Sequence, residues 1–339
     1  MKIVHWNLSS KNCLVSGVKR YEDQLFSHVK ALRKDIEIGR IQRIDNKIIG
    51  SVPISWLFRY KCKDADIVHA TFQTIAPAAY FRRPRKFIVT VQDLIPLLYP
   101  GAIDDISVKL QFMFTLAALR KADRIIAISE FTKKEVIRLT GVDESVVEVV
   151  LHGVDHSEYH PMDKKACKQR LGLELNKKHI LVVAADRVHK RMDLAKKVFD
   201  KVRAQRDDIK LIKTGYSQRL SGDDIISFGY LPESEMPILF NAADVFLHTS
   251  EYEGFCLPIV EAMSCGVPIV VSKKASIPEV VSSYGNMVDL GADDVLEQFV
   301  NKILSCIDKE IDEKAVEQSR NFSWQKTAEE TIKVYETLI

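Results

Sequence analysis

The sequence predicts an α/β protein made of two doubly wound parallel sheets in tandem. Three observations carry this. The chain has 339 residues, more than one hydrophobic core usually holds, so two domains are expected. Short apolar strands alternate with helical stretches along its whole length, the pattern of parallel sheets covered by helices. The alternation lapses once, in the polar stretch from Leu151-His152-Gly153-Val154-Asp155 to His160-Pro161, and then begins again.

In the first half, strands are expected around 2–6, 36–41, 66–69, 87–91, 124–128 and 146–150, with helices between them, for example at 18–33 and 106–121. The linker is placed near 151–165. The second series has strands at His179 to Ala184, Ile209 to Lys213, Ile225 to Phe228, Val245 to His248 and Val267 to Val271. Ligands of doubly wound sheets bind beyond the carboxyl ends of the strands, so two such domains facing one another would put a site in the cleft between them.

Hydrophobic residues make up 46% and charged residues 28% of the chain, a composition that suits a soluble globular protein. No apolar run approaches the ~20 residues a bilayer span needs, and Met1-Lys2-Ile3-Val4-His5-Trp6 reads as a strand, not a signal peptide. A cytoplasmic location is expected. The six cysteines are scattered without a CxxC or a Cys/His cluster at zinc spacing, so reduced thiols and no metal are expected. The pairs Asp104-Asp105, Asp207-Asp208, Asp223-Asp224 and Asp293-Asp294 sit in polar stretches and read as solvated surface, with a metal-bridging acidic pair as the alternative. Residues 1–160 carry a formal charge of +6 and residues 161–339 one of −3. The basic half suits an anionic surface or acceptor and is too weakly charged for nucleic acid.

The stretch richest in chemistry is Ser250-Glu251-Tyr252-Glu253-Gly254-Phe255-Cys256-Leu257-Pro258-Ile259-Val260-Glu261-Ala262-Met263-Ser264-Cys265-Gly266-Val267-Pro268. It reads as strand, loop, helix, strand. Pro258 suits the start of the helix and Gly266 the residue past its end. The loop ahead of the helix then points backbone N–H groups at whatever lies above it, an anion site for which a diphosphate is the natural occupant. Glu253 at the loop mouth and Glu261 inside the helix put a carboxylate at each end of a bound molecule, suited to hydroxyl groups of a sugar. The plainer alternative is that both acids only favour the helix dipole.

This stretch closely resembles the signature of the family-four retaining glycosyltransferases of the GT-B fold, E-G-F-G-L-P-x-x-E-A-M-A-x-G-x-P. Glu253, Gly254, Phe255, Leu257, Pro258, Glu261, Ala262, Met263, Gly266 and Pro268 match, and Cys256 stands where glycine is usual. Ser16-Gly17-Val18-Lys19-Arg20-Tyr21 resembles the first glycine-containing loop of the family, and Val89-Thr90-Val91-Gln92-Asp93-Leu94-Ile95-Pro96 its V-T-x-H-D-x-x-P block. Ala127 to Thr132 and Gly153-Val154-Asp155 resemble two further blocks. Phe228-Gly229-Tyr230-Leu231-Pro232 resembles the loop that holds the nucleotide base.

The resemblance implies an acceptor domain over 1–155, a nucleotide-sugar domain over 156–322, and a last helix over 323–339 that packs back on the first domain. It implies transfer of a hexose from a nucleotide-diphosphate sugar to a glycan or lipid-linked acceptor, with retention and without metal or other cofactor. Lys190 aligns with the diphosphate-binding lysine. Glu253 and Lys190 are the expected catalytic residues. Gly17, Gln92, Arg187, Arg191, Tyr230, Leu231, Gly254, Phe255, Cys256, Leu257 and Glu261 are the expected donor contacts. Gln92 replaces a histidine and can hydrogen-bond a sugar hydroxyl but cannot titrate near neutral pH. Arg187 or Arg191 stands in for an arginine missing from its usual place. The Val-Thr-Val-Gln-Asp-Leu-Ile-Pro block most resembles mannosyltransferases, so GDP-mannose is the first donor expected and UDP-hexoses the next.

Aromatic and basic residues mix over Trp56 to Lys63 and Phe81 to Lys86, which suits peripheral contact with the inner face of a membrane; an ordinary solvated edge is the alternative. His152 replaces an asparagine frequent in the family and reads as a linker residue. Competing classes are a GT-B epimerase or phosphorylase and a non-catalytic nucleotide-sugar binder. A nicotinamide dehydrogenase conflicts with the missing GxGxxG after the first strand.

Overall fold

The structure is a computed structural model, and it describes residues 1–11, 13, 16–43, 60–62, 64–99, 106–183 and 185–339. Two compact units form. The first comprises Met1–Gly153 with Trp324–Ile339, and the second Val154–Ser323.

In the first unit six parallel strands, β1 (Lys2–Ser10), β2 (Glu37–Arg43), β3 (Ile67–Ala70), β4 (Phe87–Val91), β5 (Arg124–Ala127) and β6 (Val147–Val149), lie in the order β2-β1-β3-β4-β5-β6. The central β3 and β4 are apolar except for His69 and Thr90 and are buried at every residue, as strands covered on both faces must be. Helices α1 (Gly17–Leu32), α2 (Ile106–Leu119) and α3 (Glu130–Thr140) connect them. Ser16 caps α1 by accepting from the Lys19 N–H, and Ser129 caps α3 by accepting from Thr132. Each side chain satisfies an N–H that the helix itself leaves unpaired.

The second unit has β7 (Lys178–Val183), β8 (Ile209–Thr214), β9 (Ile225–Ser227), β10 (Val245–His248), β11 (Ile269–Ser272) and β12 (Asn286–Val288), in the order β12-β11-β10-β7-β8-β9. This is the Rossmann order, with its switch point between β7 and β10, where ligands of such sheets bind. Helices α4 (Lys164–Arg170), α5 (Met192–Arg203), α6 (Met236–Ala242), α7 (Leu257–Ser264), α8 (Val295–Cys306) and α9 (Glu313–Ser319) complete it. One core joins Ile180, Val198, Leu211, Leu247, Phe299 and Ile303 across sheet and helices. A charged cluster closes the opposite end of this sheet: buried Asp244 takes Lys168 at 2.8 Å and Lys164 at 3.2 Å, and accepts the His179 N–H at 2.9 Å.

The final helix, α10 (Trp324–Glu336), belongs to the first unit. Its Tyr335 hydroxyl lies between His5 Nε2 at 2.9 Å and His69 Nδ1 at 2.7 Å, and His69 Nε2 meets Thr90 Oγ1 at 2.7 Å. Thr327 Oγ1 donates to the Leu151 carbonyl, and Arg33 pairs with Glu336.

Three expectations change. The stretch 151–165 was expected to be a polar linker, but His152, Val154 and Tyr159 are buried, and the unit boundary falls within it, after Gly153. His152 stacks on Tyr21 at 4.8 Å; its ring fills the core beside α10. The edge strand β12 has only three residues after Gly285, too short for periodicity to announce. The strand expected from Val267 starts at Ile269, because Gly266 at φ +71° and Pro268 hold the chain in a turn. A Cβ on Gly266 would stand 2.7 Å from the Ile311 side chain, so both conformation and space demand glycine. Trp56 to Arg59, Asp104-Asp105 and Ala184 lie outside the described residues.

Candidate active site

Lys190 follows β7 and Glu253 follows β10, the two strands that flank the switch point. Lys190 ends a one-turn 3₁₀ helix, Val188–Lys190, and Arg191 after it takes the left-handed conformation at φ +50°. This basic turn is stitched to the loop beyond β10. The Glu251 N–H donates to the His189 carbonyl at 2.7 Å. Thr249 Oγ1 lies 3.0 Å from the Lys190 carbonyl, and Ser250 Oγ donates to His189 at 3.2 Å. Each bond crosses from one side of the switch point to the other, so the two segments form one frame.

Within this frame Lys190 Nζ donates to Glu253 Oε1 at 2.6 Å, and His248 Nε2 lies 2.8 Å from the same oxygen. Burial opposes ionisation of Glu253, but the Lys190 ammonium and His248 outweigh it and hold the carboxyl well below the usual carboxylate range. Ser276 Oγ donates to the Glu253 carbonyl at 2.9 Å and fixes the backbone. His189 is pushed down to about 4 by burial and then by the charge of Lys190.

Cys256 is the N-cap residue of α7, with φ +76° and ψ +70°. Left-handed backbone is unfavourable for a residue with a Cβ, which explains why glycine suits this place in the signature. Its Sγ lies 3.4 Å from His248 Nε2. Burial, reinforced by the Glu253 carboxylate, pushes the thiol well above its ordinary range. Pro258 falls in the first turn of α7. Phe255 is buried edge-on against Phe322, with ring centroids 5.7 Å apart. Leu257 and Glu261 are buried with it.

The remaining site residues divide. Arg191 is engaged by Glu251 and by Asp193 at 3.3 Å, whereas Arg187 is exposed. Gly229 at φ +61° turns the chain after β9, leaving Tyr230 70% exposed and Leu231 half-buried. Gly17 and Gln92 belong to the first unit. Gly17 opens α1. Gln92 is buried; its N–H donates to Gln73 Oε1 at 3.0 Å and its side-chain Nε2 to the Thr71 carbonyl at 3.4 Å. Beside them Glu22 accepts from Leu8 N–H, Ser9 N–H and Thr71 Oγ1 at 2.6–3.1 Å. That carboxylate ties the ends of β1 and β3, the switch point of the first sheet. Burial outweighs these hydrogen bonds and holds it above its ordinary range.

Sequence reasoning missed His248 and Glu22. His248 had a signal, a lone polar residue ending an otherwise apolar strand. Together His248, Glu253 and Cys256 place three potential ligand atoms within 4.8 Å of one another, a cluster that its linear spacing did not announce.

Two Rossmann-type units in one chain, the second with a lysine, a carboxylate and a helix entrance at its switch point, define the GT-B class. Residues 163–322 match the model of the glycosyl transferases group 1, and residues 27–158 that of glycosyltransferase family 4. The chain belongs to this glycosyltransferase family. It is 40% identical over 112 residues to O-antigen chain mannosyltransferase B of Escherichia coli, covering 32% of this chain and 29% of that protein. It is 27% identical over 270 residues to a serotype-specific mannosyltransferase of the same organism, covering 72% and 32%. The chain thus spans about a third of the length of these relatives. Among solved structures, sucrose-phosphate synthase from Thermosynechococcus elongatus superposes with a TM-score of 0.81 at 17% identity, over 99% of this chain and 98% of that one. Anabaena HepE, in complex with UDP-glucose, gives 0.76 at 18% identity, over 99% and 100%.

Proposed function

We propose that the chain transfers a hexose, mannose first, from a nucleotide-diphosphate sugar to a glycan or lipid-linked acceptor, with retention of configuration and without a required metal or cofactor. The observation that carries this is the convergence of Lys190, Glu253 and the entrance of α7 at the switch point of the second sheet. Departure of the nucleoside diphosphate builds negative charge on its β-phosphate. Lys190 and the N–H groups of the 255–257 loop stabilise that charge, with the helix N-terminus behind them. Glu253 holds hydroxyls of the donor sugar and Glu261 the ribose. The acceptor attacks the face the leaving group departs from, and the leaving phosphate takes its proton. GDP-mannose as donor draws support from the mannosyltransferase relatives. UDP-hexoses come second, supported by the UDP-glucose complex of HepE.

A cytoplasmic place on the inner face of a membrane goes with a lipid-linked acceptor. Among the described residues no helix is long and apolar enough to cross a membrane. Phe81, Met113 and Phe114 are exposed apolar side chains of the basic first unit, and Arg83 and Arg85 beside Phe81 are exposed too, a combination suited to peripheral contact.

The test is the melting temperature of the protein with GDP, UDP, ADP and their sugar conjugates, with EDTA present. A ligand that binds only the folded state raises it. A shift with GDP and GDP-mannose alone supports the proposal, and loss of that shift in Glu261→Ala supports the ribose role. No shift with any nucleotide refutes the donor site. Binding without transfer to any glycan or lipid-linked acceptor would leave a nucleotide-sugar binder.

A further inference from the structure

His248, Glu253 and Cys256 come from the end of β10, the loop after it and the cap of α7, and nothing in the proposed transfer uses His248 or the Cys256 thiol. Their ligand atoms span a compact triangle. His248 Nε2 is 2.8 Å from Glu253 Oε1 and 3.4 Å from Cys256 Sγ, and all three atoms lie within 4.8 Å of one another. A tetrahedral zinc ion, with bonds of about 2.0–2.3 Å, needs ligand atoms roughly 3.3–3.7 Å apart. Shifts of about 1 Å or less bring the triangle to that size. The donor set is one nitrogen, one sulfur and one oxygen, which suits zinc and not magnesium or calcium. All three residues are buried, so the ligands are held before an ion arrives. Cys256 keeps its sulfur against His248 by occupying left-handed backbone, and strain of that kind gathers at functional positions.

We propose that His248, Glu253 and Cys256 form a site for a soft divalent cation of the zinc class, and that its binding takes Glu253 away from Lys190 and shuts off sugar transfer. The inference rests on the donor-site reading for its effect on transfer, but not for the binding itself. The ion and the Lys190 ammonium compete for Oε1, because two positive charges brought to one carboxylate oxygen in a buried site repel one another. Lys190 keeps a fifth of its side chain exposed and has solvent to move into. The Cys256 thiol gives its proton to water as the zinc–sulfur bond forms, since a coordinated thiol is deprotonated outright. Three protein ligands leave the fourth position to water. Glu253, held by the ion, no longer receives sugar hydroxyls.

Cobalt(II), which takes the same tetrahedral sites, makes the binding visible. One equivalent added to the apo protein should give a thiolate-to-cobalt charge-transfer band that zinc abolishes. Cys256→Gly, which suits the left-handed backbone, should lose the band, while Cys265→Ser should keep it. His248→Ala and His248→Gln should each weaken zinc binding at least roughly tenfold in chelator competition. Lys190→Met should tighten it by removing the competitor. Absence of the band, its survival in Cys256→Gly, or zinc affinity unchanged in Lys190→Met would overturn the proposal. Nucleotide-induced melting shifts in EDTA test the donor site separately, so failure of one reading is distinguishable from failure of the other.

Discussion

Replacing Lys190 by alanine removes the ammonium from a carboxylate that has little water. The pair is 2.6 Å apart, with 21% and 9% of the two side chains exposed. At an effective dielectric near 20 the attraction is about 6 kcal/mol, most of it offset by the desolvation of both groups. Removing one partner of a fully buried pair costs about 3–5 kcal/mol. Here His248 still meets Oε1 and part of Lys190 is already wet, so about 2–3 kcal/mol is expected. A ceiling comes from the escape route. Glu253 can take up a proton, which for an ordinary carboxyl at pH 7 costs about 3.7 kcal/mol. Urea unfolding followed by hydrogen exchange over residues 245–272 measures the loss. The cost should shrink by more than half at pH 5, and Glu253→Gln added to Lys190→Ala should recover most of it. A Lys190→Ala protein with an unchanged midpoint at pH 7, or a loss that stays the same at pH 5, refutes the argument that this charge pair carries the loop.

Cys256→Gly should be neutral to slightly stabilising in thermal melts, because it relieves left-handed strain, whereas Cys256→Val should cost about 2 kcal/mol or more; equal melts for the two would contradict the assignment of strain. Asp244→Ala should destabilise the second unit by about 3–5 kcal/mol by leaving Lys168 buried without its partner, and calorimetry checks it. In the first unit, burial and then the charge of Arg40 push His5 down to about 3, and burial alone pushes His152 to about 3. Both folded values lie below the unfolded one, so their contribution is complete above about pH 6.5 and is lost as pH falls toward the folded values, at up to about 1.4 kcal/mol per pH unit for each. Glu22, raised by burial, has the opposite sign and offsets part of the loss at the acid end. The described tryptophans, Trp6 and Trp324, belong to the first unit, so tryptophan fluorescence in urea at pH 6.5 and 5 reads this slope, and His152→Phe should flatten it.

Much of the fold was legible because buried parallel strands are written as apolar runs. Ile67–Ala70, Phe87–Val91 and Val245–His248 stand out between helices. The entrance of α7 was legible from Pro258 and Gly266, whose backbone demands are local. What did not show was whatever depends on elements distant in sequence. The stitching of 189–191 to 249–251 joins the Thr249 and Ser250 hydroxyls and the Glu251 N–H to carbonyls about sixty residues away, and no local pattern names those partners. His152 and Glu22 looked like ordinary polar residues because only the packed unit shows the ring of Tyr21 or the N–H groups of Leu8 and Ser9 beside them. Arg191, one of the expected donor contacts, also pairs with Glu251 and Asp193, acids whose direction the sequence does not reveal.

The return of α10 to the first unit bears on the order of events during synthesis. The second unit is one unbroken stretch, Val154–Ser323, and can fold as soon as it clears the ribosome. The first unit, although its sheet is made earlier, must wait. Until Tyr335 arrives, His5 and His69 lack the hydroxyl between them, and Tyr21 and His152 lack the cover of Trp324. The half translated first is therefore completed last, and the nascent chain carries an open apolar flank throughout the making of its neighbour. A chaperone or a premature stop would act at that flank, and a stop codon at 324 would leave the second unit intact while stranding the first.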